Sequence, residues 1–184
     1  MAGITDCWGL NMPSPPPCLF IAPIVLVAAA CSPPGAAGEP AVTPSAQATP
    51  AVSEAGLRLT DVTVISGDER HVFTTELALT NEEQARGMMF RTEMGDDEGM
   101  LFPSYTPQAR SFWMKNTPLP LDIIFIGTDG RITNIEAGVP YSQESVFSDG
   151  LASAVFEIRG GLSEELGIGP GDRVEYSPPA DAAP

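Results

Sequence analysis

One lysine and one aspartate are the first residues of this chain that could form a ligand site. Lys115 is the only lysine of the 184 residues, and Asp122 opens an apolar run seven positions later. If the segment around Lys115 is a strand, Trp113, Lys115 and Thr117 share one face. Asp122 shares its strand face with the apolar Ile124 and Ile126. An unpaired charge on such a face is costly, so we expect Asp122 to pair with Lys115. With Trp113 and Asn116, the pair would suit an anionic or carbonyl-bearing ligand, or it would only fix the local turn.

Arg91 and Glu157 extend this candidate site. Arg91 could clamp a carboxylate, or it could cover the end of a short helix. Glu157 interrupts an apolar strand, where it could act as a general acid or base or could face the solvent. An envelope hydrolase would need Asp122 and Glu157 within about 10 Å of each other across a cleft, with Lys115 as an electrostatic stabiliser. The candidate ligand-binding set is therefore Arg91, Trp113, Lys115, Asn116, Asp122 and Glu157, with the hydrolase as an alternative.

Five methionines within 27 residues suggest a different chemistry. They are Met88, Met89, Met94, Met100 and Met114. Thioether sulfur is a soft ligand that suits Cu(I). Methionine also fills irregular gaps in apolar cores, and we favour that explanation here. A Cu(I)-handling site would require at least two of the sulfur atoms to converge at the surface.

The charge balance and the scarcity of cysteine and histidine exclude several classes of function. The 24 acidic residues outnumber the 9 basic ones, and a formal net charge of -15 repels a nucleic-acid backbone. Cysteine occurs only at positions 7, 18 and 31, which leaves the rest of the chain without disulfides or cysteine metal sites. His71 is the only histidine, so zinc hydrolysis and histidine-based nucleophilic catalysis lack their usual residues. We expect no metal or other cofactor.

An apolar segment at residues 18–30 indicates export. Its 13 residues are too few for a membrane-spanning helix, which needs about 20, and they suit the core of a signal peptide. The residues that precede Cys31 resemble a bacterial lipoprotein signal, which implies acylation of Cys31. Ordinary cleavage after Ala30 is the alternative. Either route predicts a periplasmic or membrane-surface location, with the acyl chains as the expected anchor.

Composition divides the rest of the chain into a tether, one domain and a tail. Residues 31–56 are rich in proline and alanine and lack aromatic side chains, so we expect a disordered tether behind a signal peptide of residues 1–30. Residues 57–177 alternate apolar runs with turn residues and are long enough for one core. Residues 178–184 should form a flexible tail.

Within the domain, the pattern is one of many short strands. Turn residues 66–68 predict an opening hairpin, and a capping box from Thr80 to Glu83 with Gly87 as a stop predicts a helix over residues 81–86. Further strands are predicted at 99–102, 112–115, 122–126, 131–136, 154–158 and 173–176. The fold class is therefore mainly β (α+β), a small, partly open β-barrel with two or three short helices.

Several blocks of sequence together resemble a known family. They are residues 82–91, 99–102, 112–117 and 120–125, followed by Asp129-Gly130 and Gly171-Asp172. In this order they resemble the domain of unknown function family 192, also called uncharacterised protein family 0127, over about residues 72–174. The resemblance implies a compact, mainly β domain that is often exported, and it implies no established activity or catalytic residue. Our leading hypothesis is a membrane-tethered envelope module that binds a small ligand or an envelope protein without catalysis.

Overall fold

A seven-stranded sheet forms the centre of the computed structural model, which describes residues 52–177. The elements in chain order are β1 (Arg58–Ser66), β2 (Glu69–Leu77), α1 (Asn81–Arg86), β3 (Glu98–Gln108), β4 (Ser111–Phe112), β5 (Leu121–Gly127), β6 (Ile132–Gly138), β7 (Val146–Phe147), β8 (Ala152–Arg159), α2 (Leu162–Glu165) and β9 (Arg173–Tyr176). Within this part of the chain, neither helix has the length and apolar character needed to cross a membrane.

Several predictions concern residues outside the described range. They are the signal peptide at 1–30, the lipidation site Cys31, the tether up to residue 51 and the tail at 178–184. The last tether residues, 52–56, are described and form a turn ahead of β1. In this turn the Ser53 N–H donates to the Leu57 carbonyl oxygen over 2.8 Å.

The opening hairpin and the first helix form where the sequence predicts them. β1 pairs antiparallel with β2 from Arg58 opposite Leu77 to Ser66 opposite Glu69. The tight turn between the strands places Gly67 at φ 57, a left-handed conformation that glycine adopts without steric cost. α1 spans Asn81–Arg86, and both bonds of the predicted capping box are present. Both predictions are therefore confirmed.

The capping box gives a direct stability prediction. The Thr80 hydroxyl accepts from the Glu83 N–H at 3.1 Å, and a Glu83 carboxylate oxygen accepts from the Thr80 N–H at 2.8 Å. We expect Thr80→Ala to lower the free energy of unfolding by about 1 kcal/mol, because one helix N–H loses its acceptor. Urea unfolding of the full chain measures this loss. Thr80→Ser keeps the hydroxyl and is the control, so equal losses in both variants would contradict the capping role.

The sheet curves towards closure without reaching it. Its strand order is β6-β5-β8-β3-β2-β1-β9, and β4 and β7 form a separate two-stranded sheet. β2 and β3 run parallel, while the other pairs are antiparallel. The edge strands β6 and β9 meet only through an isolated bridge between Arg131 and Arg173 and a few nearby backbone bonds. The predicted mainly β fold with a partly open barrel and short helices is confirmed.

Both faces of the central strands are buried. Side chains alternate between the faces of a strand, so neighbouring residues of β5 enter different apolar clusters. The first core contains, among others, Phe73, Leu101, Ile124, Ile126, Phe156 and Ile158. The second core contains Met88, Met100, Phe102, Met114, Ile123, Phe125 and Val155, together with Ala78 and Leu121. A polar residue on a central strand is therefore enclosed whichever way it points.

Candidate functional site

Residues 113–117, which hold the only lysine, form a loop. β4 ends at Phe112 because its partner β7 offers only two residues for pairing. The Thr117 N–H then donates to the Met114 carbonyl oxygen at 3.1 Å and closes a turn over Lys115 and Asn116. Asn116 has φ 59, a left-handed conformation that asparagine tolerates better than most side chains. The predicted strand over 112–115 is wrong beyond Phe112, and so is the shared face, because Thr117 is buried while Trp113 and Lys115 are exposed.

Lys115 packs over an aromatic ring. Its Nζ lies 5.2 Å from the centroid of the Trp113 ring, a cation–π distance, and the indole is 47% exposed. Among the described residues, no carboxylate lies within ion-pair distance of Lys115. The predicted pair between Lys115 and Asp122 is therefore wrong.

Asp122 is bound instead by the turn that begins α2. It is 7% exposed, and its Oδ1 accepts from the Gly161 N–H at 2.9 Å. Its Oδ2 accepts from the Ser163 N–H at 2.9 Å and also receives a short hydrogen bond from the Ser163 hydroxyl. The carboxylate therefore ties β5 to the residues after β8, and its oxygens are engaged by the protein itself.

Asp122 and Glu157 lie on opposite faces of the sheet. Asp122 pairs across the ladder with Ile158, which belongs to the first core. Glu157 pairs with Ile123 and with Met100, both of the second core. Ladder partners project to the same face, so the sheet separates the two carboxyl groups. The predicted hydrolase, which required them to share one cleft, is wrong.

Glu157 is a buried acid without a partner. The residue is 4% exposed, and none of the described residues makes a hydrogen bond or an ion pair with its carboxyl group. Burial raises the pKa of this carboxyl to about 8, because the charged form loses its hydration without compensation. At neutral pH the group is therefore mainly a neutral carboxylic acid that can both donate and accept a hydrogen bond.

The Glu157 side chain lines a cavity of about 40 Å³, which we call the Glu157 cavity. One wall comes from residues 84–89, at the end of α1 and the start of the following loop, and the opposite wall from the loop around Trp113 and Met114. Phe102 and Leu121 complete the apolar lining next to Glu157. The wall reaches the surface at Trp113 and at Arg86, both of which are exposed. A perturbed acid in such a setting is a recognised sign of a functional site.

Three of the five clustered methionines line this cavity. They are Met88, Met89 and Met114. Met88 and Met114 are also buried in the second core, as is Met100, so the predicted packing role is confirmed for these three. Met89 is partly exposed, and its sulfur lies 3.9 Å from the Asn116 amide nitrogen. Three methionine residues therefore belong to the cavity wall, and the Met114 sulfur packs against Gly138 of β6.

The loops beside the cavity hold strained backbone. Phe90, Asn116 and Tyr141 are the three described non-glycine residues with positive φ, at 65°, 59° and 61°. They are connected, because the Phe90 N–H donates to the Asn116 carbonyl oxygen at 2.8 Å and the Tyr141 N–H donates to that of Thr117 at 3.0 Å. Each such residue costs about 1–3 kcal/mol and persists only where its surroundings impose it. Strain of this kind concentrates at binding sites and active sites.

Arg91 belongs to a different groove. Its Nη2 lies 2.6 Å from a Glu76 carboxylate oxygen, so it clamps a carboxylate of the protein itself. This groove, of about 400 Å³, is lined also by Glu93, Glu98 and Met94. Its arginine is already paired, and one Glu98 oxygen accepts from the Gly95 N–H at 2.9 Å. The larger groove therefore presents engaged or solvated groups, whereas the smaller Glu157 cavity presents an unpaired one.

Of the six predicted site residues, Trp113 and Glu157 line one cavity. Lys115 packs on the Trp113 ring, and Asn116 contacts Met89 of the cavity wall. Arg91 and Asp122 lie elsewhere. Sequence reasoning missed Ser163, which lies in the first turn of α2, as the partner of Asp122. It also missed Thr117 and Leu121 as cavity walls, for which no sequence signal exists.

A family model matches most of the described part of the chain. It is the model of DUF192, described as an uncharacterized ACR, and it matches residues 62–176. No curated protein matches the chain.

Two solved structures are similar to this chain. One is a crystal structure of a protein of unknown function from Novosphingobium aromaticivorans DSM 12444, with 52% sequence identity and a TM-score of 0.67. The match covers 70% of this chain and 94% of that one. The other, from Sinorhizobium meliloti 1021, is described as a proposed transcription regulator, with 38% identity and a TM-score of 0.63 over 65% of this chain and 95% of that one.

Proposed function

This chain belongs to the DUF192 family, and we propose that it is a non-catalytic binding module, exported and tethered to a membrane, that holds a small ligand in the Glu157 cavity. One observation carries the proposal: a buried carboxyl group without a partner lines a cavity that reaches the surface. A buried polar group normally has a hydrogen-bond partner, and the described residues give Glu157 none, so its carboxyl group is available to a ligand in the cavity. Trp113 supplies an aromatic wall for that ligand.

The lining of the cavity favours binding over catalysis. Among its described wall residues there is no histidine, cysteine or serine beside Glu157. Thr117 is buried, with its hydroxyl 3.4 Å from the Lys115 carbonyl oxygen. General acid or base catalysis usually works on a nucleophile or a leaving group positioned by further polar groups. One neutral acid in an apolar setting is better suited to fixing the orientation of a bound molecule.

Export and tethering rest on the amino-terminal sequence. Residues 18–30 have the length and composition of a signal-peptide core, and Cys31 follows small residues in the pattern of a lipoprotein signal. Acyl chains on Cys31 would hold the domain at the end of a proline-rich tether without any membrane-spanning segment. The ligand would then be one that is available in the periplasm or at a membrane surface.

The proposal does not include nucleic-acid binding, although the similar Sinorhizobium protein is described as a proposed transcription regulator. The formal net charge of this chain is -15. Nucleic-acid affinity depends on neutralising backbone phosphates with basic side chains, and the single lysine here packs on Trp113. A protein or a small molecule of the envelope is the expected partner.

Native mass spectrometry of the full-length protein, purified from the membranes of its own cells, tests the proposal. We expect the parent to retain a small molecule or ion beyond its lipid. Trp113→Ala and Glu157→Leu should each reduce that retained species by about tenfold, because each removes one contact of the site. Lys115→Ala should reduce the retained species as well, because the Lys115 side chain packs on the Trp113 ring.

Tyr105→Ala is the matched control for Trp113→Ala. Tyr105 is a similarly exposed aromatic residue on β3 and does not line the Glu157 cavity. Its replacement should leave retention unchanged. A parent that retains nothing, or site variants that retain as much as the Tyr105 variant, would overturn the proposed function.

A further inference from the structure

The size of the Glu157 cavity limits what can enter it. Pockets for drug-sized ligands typically hold about 300–1,000 Å³, whereas this cavity holds about 40 Å³. A single water molecule needs roughly 10–15 Å³ measured in the same way, so the space suits a group of about three or four non-hydrogen atoms. A larger ligand must therefore place one small group beside Glu157 and leave the rest of the molecule outside the cavity.

The carboxyl group of Glu157 is within reach of such a group. It has no hydrogen-bond partner among the described residues, although Glu157 is only 4% exposed. Its oxygens are not sealed in the core, because the one side-chain polar atom of residues 52–177 that is both fully enclosed and unpartnered is His71 Nε2. At neutral pH the carboxyl group is mainly protonated, so it offers an O–H donor to a ligand.

Two basic side chains at this site have no acidic partner. Arg86 lines the cavity wall, is exposed, and makes no hydrogen bond or ion pair with any described residue. The Glu83 carboxylate on the same helix is engaged by the backbone N–H groups of the capping box. Lys115 packs over the ring of Trp113, which belongs to the same wall. The opening of the cavity is therefore positively charged.

Most other basic residues in the described part of the chain are engaged by the protein itself. Four arginines form ion pairs with carboxylates, and Arg131 donates to the Gly171 carbonyl oxygen at 2.7 Å. The four are Arg70, Arg91, Arg159 and Arg173. In a chain with a formal net charge of -15, a positive opening is a local exception, and it favours the approach of an anionic ligand.

A shallower groove continues from the opening of the cavity. It holds about 400 Å³ and shares Gln84, Ala85, Phe112 and Trp113 with the cavity wall. Arg110 lies in this groove, 5.4 Å from the centroid of the Phe112 ring, and donates to the Gln84 side-chain oxygen at 3.1 Å. The body of a ligand can therefore lie in the groove beside a third basic residue while its small group reaches Glu157.

A carboxylate group matches the size, the donor and the charge of this site. It has three non-hydrogen atoms, and one of its oxygens can accept a strong, charge-assisted hydrogen bond from the protonated Glu157. The positive charge of Arg86 offsets part of the cost of removing the carboxylate from water. A phosphate group, with five non-hydrogen atoms, is larger than the space. A cation would face Arg86 without an ionised acid in the wall.

From these observations we infer that the Glu157 cavity takes the carboxylate group of a small organic acid, with Glu157 as its hydrogen-bond donor and Arg86 as its counter-charge. The rest of the acid would lie in the groove beside Arg110. This inference rests on the proposed function, because it names the class of ligand for the same site. Binding involves no covalent step.

Acetate, which has four non-hydrogen atoms, is the probe. Trp8→Phe in the full chain leaves Trp113 as the only indole, and its fluorescence reports binding in a buffer free of other carboxylates. At about pH 6, acetate is ionised while Glu157 keeps its proton. We expect saturable binding with a Kd of about 1 mM, since so small a ligand seldom binds much more tightly. Acetamide and acetamidinium, the neutral and cationic analogues of equal size, should bind about tenfold more weakly or not at all.

Variants of the two proposed contacts separate this inference from general anion binding. Glu157→Leu removes the donor and should weaken acetate binding about tenfold, whereas Glu157→Gln keeps an N–H donor and should recover part of that loss. Arg86→Gln should reduce the preference for acetate over acetamide about tenfold. Arg70→Gln is the matched control, because Arg70 is an exposed arginine outside the cavity wall, and it should bind like the parent. Circular dichroism of each variant checks that the fold is kept.

Each outcome decides the question. No saturable binding of acetate, equal binding of its analogues, or acetate binding that Glu157→Leu and Arg86→Gln leave unchanged overturns the carboxylate site. If the protein purified from its own membranes nevertheless retains a molecule that is lost with Trp113→Ala, the proposed function stands and only the class of its ligand is wrong. If both experiments are negative, the proposed function falls with the inference.

Discussion

Glu157→Gln should flatten the pH dependence of folding stability between about pH 5 and pH 8. The pKa of the Glu157 carboxyl is 4.5 when it is exposed and about 8 in the folded protein, because burial removes its hydration. Between these two values the native state keeps one proton that the unfolded state has released. Stability therefore falls as pH rises through this window.

The expected size of this effect is large. Each pH unit in the window lowers the free energy of unfolding by about 1.4 kcal/mol, so the parent loses about 5 kcal/mol between pH 4.5 and pH 8 from this one residue. Glutamine is uncharged throughout, and the variant should lack this loss. We expect Glu157→Gln to be close to the parent near pH 4.5 and clearly more stable at pH 8.

Urea unfolding of the full chain at a series of pH values measures the difference between the two slopes. Glu93→Gln is the control, since Glu93 is exposed and its replacement should leave the slope of the parent unchanged. Parallel slopes for the parent and Glu157→Gln would show that the carboxyl is hydrated or paired in solution. The physical basis of the proposed site would then be lost.

Asp122→Ala should be strongly destabilising and should leave the Glu157 cavity intact. The carboxylate accepts two backbone N–H groups, from Gly161 and Ser163, and the Ser163 hydroxyl. Its removal leaves at least the buried Ser163 donors unpaired, and hydrogen bonds to a charged group are worth about 1.5–3 kcal/mol each. We expect the free energy of unfolding to fall by about 3 kcal/mol or more.

Two milder variants keep this prediction testable if Asp122→Ala does not fold. Asp122→Asn removes the charge and one of the two acceptor oxygens, and should lose less stability than the alanine variant. Ser163→Ala removes only the hydroxyl donor and should cost about 1 kcal/mol. Urea unfolding gives the order of stability, and native mass spectrometry gives retention of the ligand.

The same variants separate a structural role from a functional one. Since Asp122 faces the first core and Glu157 faces the second, a folded Asp122→Asn protein should retain its ligand like the parent. Loss of the ligand from a folded variant would show that Asp122 belongs to the site after all. An Asp122→Ala protein as stable as the parent would contradict its structural role.

Local chemistry made parts of this fold predictable. The hairpin turn at 66–68 and the capping box of α1 depend on residues within a few positions of each other. Interactions between neighbouring residues are therefore enough to determine that they form. The mainly β class follows from many short alternating runs. For the same reason Trp113, Lys115 and Asn116 could be selected together, because they are adjacent in sequence.

The errors concern partners that are distant in sequence. Residues 113–117 alternate as a strand does, but a strand also needs a neighbour, and β7 ends after two residues. Asp122 finds its hydrogen-bond donors 39 and 41 residues away, at Gly161 and Ser163, so proximity to Lys115 was a misleading guide. The residues next to Lys115 do not show how long β7 is, and the residues next to Asp122 do not show where its donors lie.

By itself, the sequence determined which short elements form and which residue types are available for chemistry: one lysine, one histidine and five methionines within 27 residues. Only the tertiary structure decided which of them meet. Alternation along β8 could not tell whether Glu157 faces water, because both faces of the central strands are covered and Phe156, Glu157 and Ile158 are all buried. Whether a buried group has a partner depends on the side chains that every neighbouring element places around it, and those depend on the whole fold.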